Sequence, residues 1–514
     1  MPSHANVPKA ELPTNRVFGG VYLNYCTGYT ITGNNFVGLL SGSGHEGETK
    51  VGITVNNSGE DNNDIYKNYF TNMFISILAQ NINKSKFPLD GLKLRCNEFT
   101  TNEYDITVTA DPWCSDLCGI AQYQGTTNVP AGNLFSKTGI HDFSDYNNEK
   151  EWIDYYHHAV PLQGESPWKP EYYSRQTISL HGTGVTYNED ACPSMSLELE
   201  AKNYFVNQYS MMSNSIDSLE AQIDQLVDGG STEGLNQEIS QAQPFEAVEL
   251  NDELLENSPY LSDTVLINVA GKEDVLLTEM VTDIMIANPQ SAKSESVLEA
   301  LESRENPLSE EMMDAVLAGR DTVSEKEILE AELSNAGSQR ELALNRLIDI
   351  YRQDTINSRT DSIISLLQNH PTLSAKYRLV MINLGLEDSI AVRSALDSIP
   401  AQFSLTGEQS ITHDHWNEWI DFILELQSDS SSITDADSNL TTTLLSLSKY
   451  EDLPGCLANN ALQYLSWTET EPHYVLPGDQ LKNEPVRIKS GKEKSCKPQS
   501  TIKLYPHPAS GYII

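Results

Sequence analysis

The sequence has few basic residues, few cysteines and no long apolar run, and each shortage excludes something. Its 514 residues carry 33 Lys and Arg against 73 Asp and Glu, a formal net charge of −40. A chain this negative repels phosphate backbones, which excludes a DNA or RNA binder working through phosphate neutralisation. No run of eighteen apolar residues occurs, and residues 1–9 lack the apolar stretch of a secretory signal, so no segment reads as a bilayer span. The seven cysteines contain no CxxC pair and no repeated short spacing, which argues against structural zinc. In an exported protein Cys114 and Cys118 are close enough to bridge a loop, and Cys26 and Cys96 could stack on neighbouring strands. In a reducing compartment all would be buried thiols. An odd number leaves at least one unpaired.

Catalytic motifs are also missing. There is no P-loop, HExxH or GxSxG, and Glu60-Asp61-Asn62-Asn63-Asp64 lacks the Gly and distal Glu of an EF-hand. Gly42-Ser43-Gly44-His45-Glu46-Gly47 matches GxGxxG, but the strand-like Val51 to Val55 follows where a phosphate site needs a helix N-terminus. His413 and His415 are two residues apart and diverge by about 200° on a helix. They read as the turn before an apolar face of Trp416, Trp419, Ile420, Ile423 and Leu424.

The length predicts two to four domains at about 100–200 residues each, and 39% hydrophobic residues can give each a core. Charge divides the chain into three: residues 1–200 sum to −11, residues 201–481 to −34, and residues 482–514 to +5. The acidic middle reads as a solvated surface.

Within the first 140 residues, strand-like segments of three to five residues recur, among them Val51-Gly52-Ile53-Thr54-Val55, Leu92-Lys93-Leu94-Arg95 and Ile106-Thr107-Val108. Asn, Gly, Asp and Ser, which suit tight corners, separate them. A tripeptide Asn-x-Phe appears at Asn34, Asn68, Asn97 and Asn133, at intervals of 34, 29 and 36 residues. Such a repeat marks a stacked array. It fits a parallel β-helix, with Phe stacked inward and Asn amides hydrogen-bonded up the corner, better than an antiparallel sandwich, which has no need of one tripeptide at one corner. The stretch from Gly20 to Phe36 resembles the right-handed parallel β-helix repeats of pectate-lyase-like surface proteins, a likeness that covers residues 17–140. It implies a coil that serves enzymes and stalks alike. The pattern is already under way at Arg16 with no capping segment, which reads as the C-terminal part of a longer protein.

Residues 141–200 are aromatic, and Trp152, Tyr155, Tyr156 and Trp168 are candidates for stacking on a sugar ring or for capping the last coil. From residue 201 the period changes: Ile216, Leu219, Ile223 and Leu226 mark an amphipathic helix that stops at Gly229-Gly230. Pro259, Pro289, Pro307 and Pro371 each close one helix, with a Ser one to five residues later to cap the next. These segments predict an all-α, helical-hairpin or solenoid-like domain to residue 467, which spaces the coils from the C-terminal segment.

Residues 468–500 read as a linker. The segment 501–514 contains Tyr505-Pro506-His507-Pro508-Ala509 between apolar residues, and resembles the opening strand of the type A C-terminal sorting domain of type IX secretion. His507 departs from the usual Asn, and most of that small β-sandwich is absent. The resemblance implies export to the outer surface of a Gram-negative bacterium, a type IX export machinery as partner and Tyr505, Pro506, Pro508 and Ala509 as the sorting signal.

The divisions are therefore 1–16, 17–140, 141–200, 201–467, 468–500 and 501–514. A lyase would need a carboxylate cluster for Ca²⁺ and a basic proton acceptor. Arg95 is the Arg on a predicted strand, with Asp61, Asp64, Asp90 and Asp105 near it in sequence. The acidic surroundings repel a polyuronate, so the reading is non-catalytic and cofactor-free, with Ca²⁺ as the one cofactor left open. The β region is then a stalk or an adhesion or glycan-binding platform. An exported polysaccharide lyase or hydrolase, and a protein-interaction module on the helices, are the alternatives.

Overall fold

A computed structural model describes residues 16–38, 48–59, 61–85, 90–112, 114, 118–137, 141–147, 152–159, 166–188, 191–192, 202–353, 360–428, 438–466 and 472–477. The proposed sorting signal Tyr505, Pro506, Pro508 and Ala509 lies outside the described residues.

The N-terminal third is built of parallel strands because similar apolar alternations recur along it and pair in register. One sheet runs Arg16–Asn24, Glu48–Asn56, Ile75–Gln80, Tyr104–Thr109 and His141–Asp145, all parallel. Its register stacks Val21, Ile53, Ile77, Ile106 and Phe143. A second sheet of Thr30–Thr32, Asn63–Tyr66 and Leu92–Arg95 stacks Ile31, Ile65 and Leu94. A third, of Asn35–Val37, Tyr69–Thr71 and Glu98–Thr100, aligns Phe36, Phe70 and Phe99, whose rings stack at 5.0 and 5.3 Å, with Phe135 beyond at 6.0 Å. These inward residues form one apolar core.

The corner between the second and third sheets is an amide ladder. The Nδ2 groups of Asn34, Asn68 and Asn97 donate to Oδ1 of Asn68, Asn97 and Asn133 in turn, at 3.0, 3.2 and 3.1 Å. The backbone N–H of the same three residues donates to the same oxygens. The residue before each ladder Asn is left-handed: Gly33, Lys67, Cys96 and Gly132 have φ of 70°, 54°, 57° and 72°. Glycine takes this conformation at no steric cost, whereas Lys67 and Cys96 pay about 1–2 kcal/mol each. The ladder holds them there.

The expected right-handed parallel β-helix is corrected by the strand pairing. The described strands form five separate parallel sheets, of five, three, three, three and two strands, with no closed or solenoid β-helix. The sheets span different parts of the chain. The last strand of the Phe sheet is Glu98–Thr100, with Leu134 joined to it by a single parallel bridge, while Tyr123–Gln124, Ile153–His157 and Ile178–Gly182 form a new sheet, and Ile82–Asn83 pairs with Gly119–Ile120. Outside the five-stranded sheet several strands are only two to four residues long, so pairing is not continuous around a turn.

The order of β then α holds. Fourteen α-helices lie between residues 202 and 466 among the described residues. Ser262 and Ser309 cap their helices, accepting from the N–H of Val265 and Met312, and Thr372 rather than a Ser does so after Pro371. After Pro289, Ser294 takes the cap position, but its hydroxyl donates to Asp263 instead of accepting from the helix backbone. The helices do not march away as a spacer. The 29-residue helix Glu325–Gln353 packs against Lys202–Leu226 on one side and against the second sheet on the other. The chain then returns: within 472–477, Tyr474 and Leu476 cover the outer face of the five-stranded sheet. Gln80 fixes this strap, donating to His473 O at 2.8 Å and accepting from Val475 N at 3.0 Å.

The ladder makes a position-dependent prediction. Asn97→Ala leaves buried partners unmet on both sides and lowers the unfolding free energy by about 1–3 kcal/mol in denaturant titrations of the full chain. Asn34→Ala, at the half-buried end of the ladder, lowers it by less.

Candidate functional site

The strand Leu92–Arg95 alternates, so Leu92 and Leu94 enter the core while Lys93 and Arg95 point outward. On a sheet open to water these two would be solvated. The long helix covers them, with small residues at its contact face. A Cβ on Gly337 would sit 2.9 Å from Asn62 Nδ2, so glycine permits the approach. Arg95, 3% exposed, pairs with Asp64 through Nη2 at 2.8 Å and Nε at 2.9 Å. Ser338 Oγ donates to the other oxygen of Asp64 at 2.8 Å, and Lys93 Nζ donates to Ser334 Oγ. Asn345 Nδ2 donates to Gly28 O and Thr30 Oγ1.

The polar seam extends both ways along this helix. Toward its C-terminal end, Glu341 lies 2.9 Å from His370 Nε2 and 3.2 Å from Arg378 Nη1, and His370 Nδ1 meets Tyr209 Oη at 2.9 Å. Burial pushes the Glu341 carboxyl up, but the His370 hydrogen bond and the charges of His370, Arg378 and Arg340 together hold it below the usual range. Toward the N-terminal end, Tyr123 Oη donates to Glu330 at 2.9 Å, and Lys293 lies 2.7 Å from Glu327 and 3.5 Å from Asp154. Asp154 also meets His181 Nε2 at 2.7 Å and accepts from Gln122 at 3.0 Å. Burial raises the Asp154 carboxyl, and these partners outweigh it and leave it below the ordinary value.

Burial lowers the Lys93 ammonium to about 7, with the Arg95 charge adding to that effect against the pull of Asp64 and Asp90. A neutral lysine hydrogen-bonded to a serine is the chemistry of a Ser–Lys nucleophile pair. Catalysis also needs a substrate within hydrogen-bond reach. Lys93 is 2% and Ser334 1% exposed, so the pair is closed by the helix that supplies it.

Arg95 is equally enclosed, and apart from Asp64 the carboxylates near it in sequence have separate partners. Asp61 accepts from Thr27, Asp90 from Asn62 at 2.7 Å, and Asp105 from Ser136 N and Oγ at 2.8 Å. Burial pushes Asp105 up to about 7. Among the described residues no group of three His, Cys, Asp or Glu is placed to hold a metal ion.

The four aromatic candidates do not share a platform. Trp152 lies under Arg320, whose guanidinium is 5.6 Å from the ring centre. Tyr155 is fully buried against Phe135 and Phe143, each at 5.8 Å. Alternation turns Tyr156 the opposite way, against Tyr123 and Ala331 of the long helix. Trp168 stacks on Tyr187 at 4.8 Å, with His158 edge-on at 5.7 Å. His413 meets Tyr377 Oη at 3.1 Å while His415 pairs with Asp452, as their divergence on the helix requires.

Two disulfides join Cys96 to Cys192 and Cys114 to Cys118. Cys96 does not stack on Cys26, because the two occupy different corners: Cys96 precedes a ladder Asn, whereas Cys26 lies just beyond the end of the first strand. Sequence reasoning missed Ser334, Gly337, Ser338, Glu341 and Asn345. Their three- and four-residue spacing on one helix face was the available signal. Among the described residues no helix is long and apolar enough to cross a membrane. No protein-family model, curated protein or solved structure matches the chain.

Lys93 gives the seam a pH signature. In the unfolded chain lysine keeps its proton to about 10.4, whereas folded Lys93 releases it above about 7. Between those values the unfolded state binds more protons, so this residue's contribution to stability rises with pH across that window and is absent below it. Thermal midpoints measured from pH 7 to pH 9 therefore climb less steeply for Lys93→Met than for the wild-type protein.

Proposed function

We propose that this chain is the non-catalytic body of a secreted or cell-surface protein, in which parallel sheets and helices together form a rigid stalk or an adhesion or glycan-binding platform. The observation that carries this reading is the enclosure of Arg95. The residue best suited to a lyase base is held by Asp64, itself bonded by Ser338, beneath a 29-residue helix, out of reach of a polymer. The lysine nearest to a nucleophile-activating state is covered by the same helix.

The disulfides Cys96–Cys192 and Cys114–Cys118 support an oxidising compartment, since such bonds persist chiefly in exported proteins. Export by a type IX machinery to the surface of a Gram-negative bacterium rests on the resemblance at Tyr505, Pro506, Pro508 and Ala509 alone. A second reading, a protein-interaction module on the helices, is favoured by Phe245 and Val248, which expose 84% and 64% of their surface three residues apart.

The test is incubation of residues 1–514 with neutral and acidic polysaccharides, with and without Ca²⁺, scored by polymer size. The platform reading expects no shortening of any polymer. Shortening of one, abolished by Arg95→Ala in a variant that still folds, would overturn it.

A further inference from the structure

Two cysteines outside the disulfides lie together where the two ends of the fold meet. Cys26 and Cys456 are half-buried thiols in segments more than 400 residues apart, and both touch Asn24. Cys26 Sγ donates to Asn24 O at 3.4 Å, and Asn24 Nδ2 donates to Cys456 Sγ at 3.3 Å. The residue between them is fixed, because Asn24 Oδ1 accepts from Asn56 Nδ2 at 2.6 Å. Cys26 is fixed as well, its N–H donating to Ser58 Oγ at 3.0 Å. Cys456 lies in the first turn of the helix Leu453–Ser466, where Asp452 accepts from Gly455 N at 2.9 Å and pairs with His415 at 2.5 Å.

We propose that Cys26 and Cys456 are a third disulfide site, a covalent clasp that joins the first strand of the parallel sheets to the last helix when the protein meets a small-molecule disulfide. One thiolate attacks the oxidant, releasing one small thiol and leaving a mixed disulfide. The second thiolate attacks that bond and releases the other small thiol. The two cysteines lose two protons and two electrons, and the oxidant gains both pairs as two thiols. The clasp fastens the ends of the platform to each other, independently of the seam beneath the long helix.

The surroundings set the rate. Burial pushes both thiols up, Cys456 to about 12 with the neighbouring Cys26 and Asp452 adding to it, while contacts with Asn24 oppose the rise at each. Glu451 and Asp452 charge the vicinity negatively and Tyr22 and Tyr25 flank it, which disfavours a thiolate. Closure is therefore slow at pH 7 and quickens with pH.

The test uses the full chain with oxidised glutathione at pH 8. Seven cysteines with two disulfides leave three thiols in denaturant: Cys26, Cys456 and Cys496. The clasp predicts a fall from three thiols to one, a peptide linking Cys26 to Cys456 in non-reducing mass spectrometry, and a raised thermal midpoint. Recovery of that linked peptide from the protein as isolated supports the clasp equally. Cys26→Ser is expected to keep the untreated midpoint within a few degrees of wild type and to show no rise on oxidation. Separate glutathione adducts on Cys26 and Cys456, linkage of either to Cys496, or three thiols that persist at pH 8 and pH 9 would each overturn the proposal.

Discussion

The fold depends on one buried contact, in which Asp64 and Arg95 are sealed by Ser338. An outward-facing charge pair on a parallel sheet would ordinarily stay in water. Covering it removes the solvation of both charges, and Ser338 donates a hydrogen bond to Asp64 in return, while Ser334 accepts from the neighbouring Lys93 and Asn345 donates to Thr30. A partner removed from such a pair leaves an uncompensated buried charge, which costs about 3–5 kcal/mol. The long helix therefore cannot leave the sheet without exposing Lys93, Arg95 and Asp64 and abandoning its own buried polar atoms. Lys293, which bridges Glu327 of the helix and Asp154 of a strand, repeats this dependence toward the helix N-terminus, while Glu341 with His370 and Arg378 ties the helix to its helical neighbours. The sheets and helices thus act as one body.

This arrangement also governs the functional reading. Buried ionisable groups with displaced pKa values mark active sites and structural networks alike, and accessibility separates the two. Lys93 and Ser334 have the chemistry of a nucleophile pair, but the helix that supplies the serine also closes the space a substrate would occupy. The aromatic residues are likewise spent on packing: Tyr155 in the core, Tyr156 under the helix, Trp152 under Arg320 and Trp168 on Tyr187.

Much of this architecture was legible in the chain where the signal is local. The Asn-x-Phe spacing foretold both the amide ladder and the Phe stack, since one residue type must recur at each corner for amides to meet. Pro259 and Pro307, each with a serine close behind at Ser262 and Ser309, marked helix boundaries because capping involves only neighbours. The break-up into five sheets was not legible, because it turns on which short strands find partners, not on their composition. The docking of the long helix was hidden for a further reason: Lys93 meets Ser334 across 241 residues and Asp64 meets Ser338 across 274. No periodicity spans such distances. The stripe of small residues along the helix, read beside outward charges on a strand, was the trace available, and it explains why Arg95 looked free for chemistry.

Native-state hydrogen exchange of the full chain tests the central claim most directly. If the seam fuses the two regions, amides of Leu92–Arg95 and of the central turns of Glu325–Gln353 exchange through one common opening at the same free energy. Exchange of the helix at a markedly lower free energy, with the strand still protected, would show two bodies resting against each other and contradict the account.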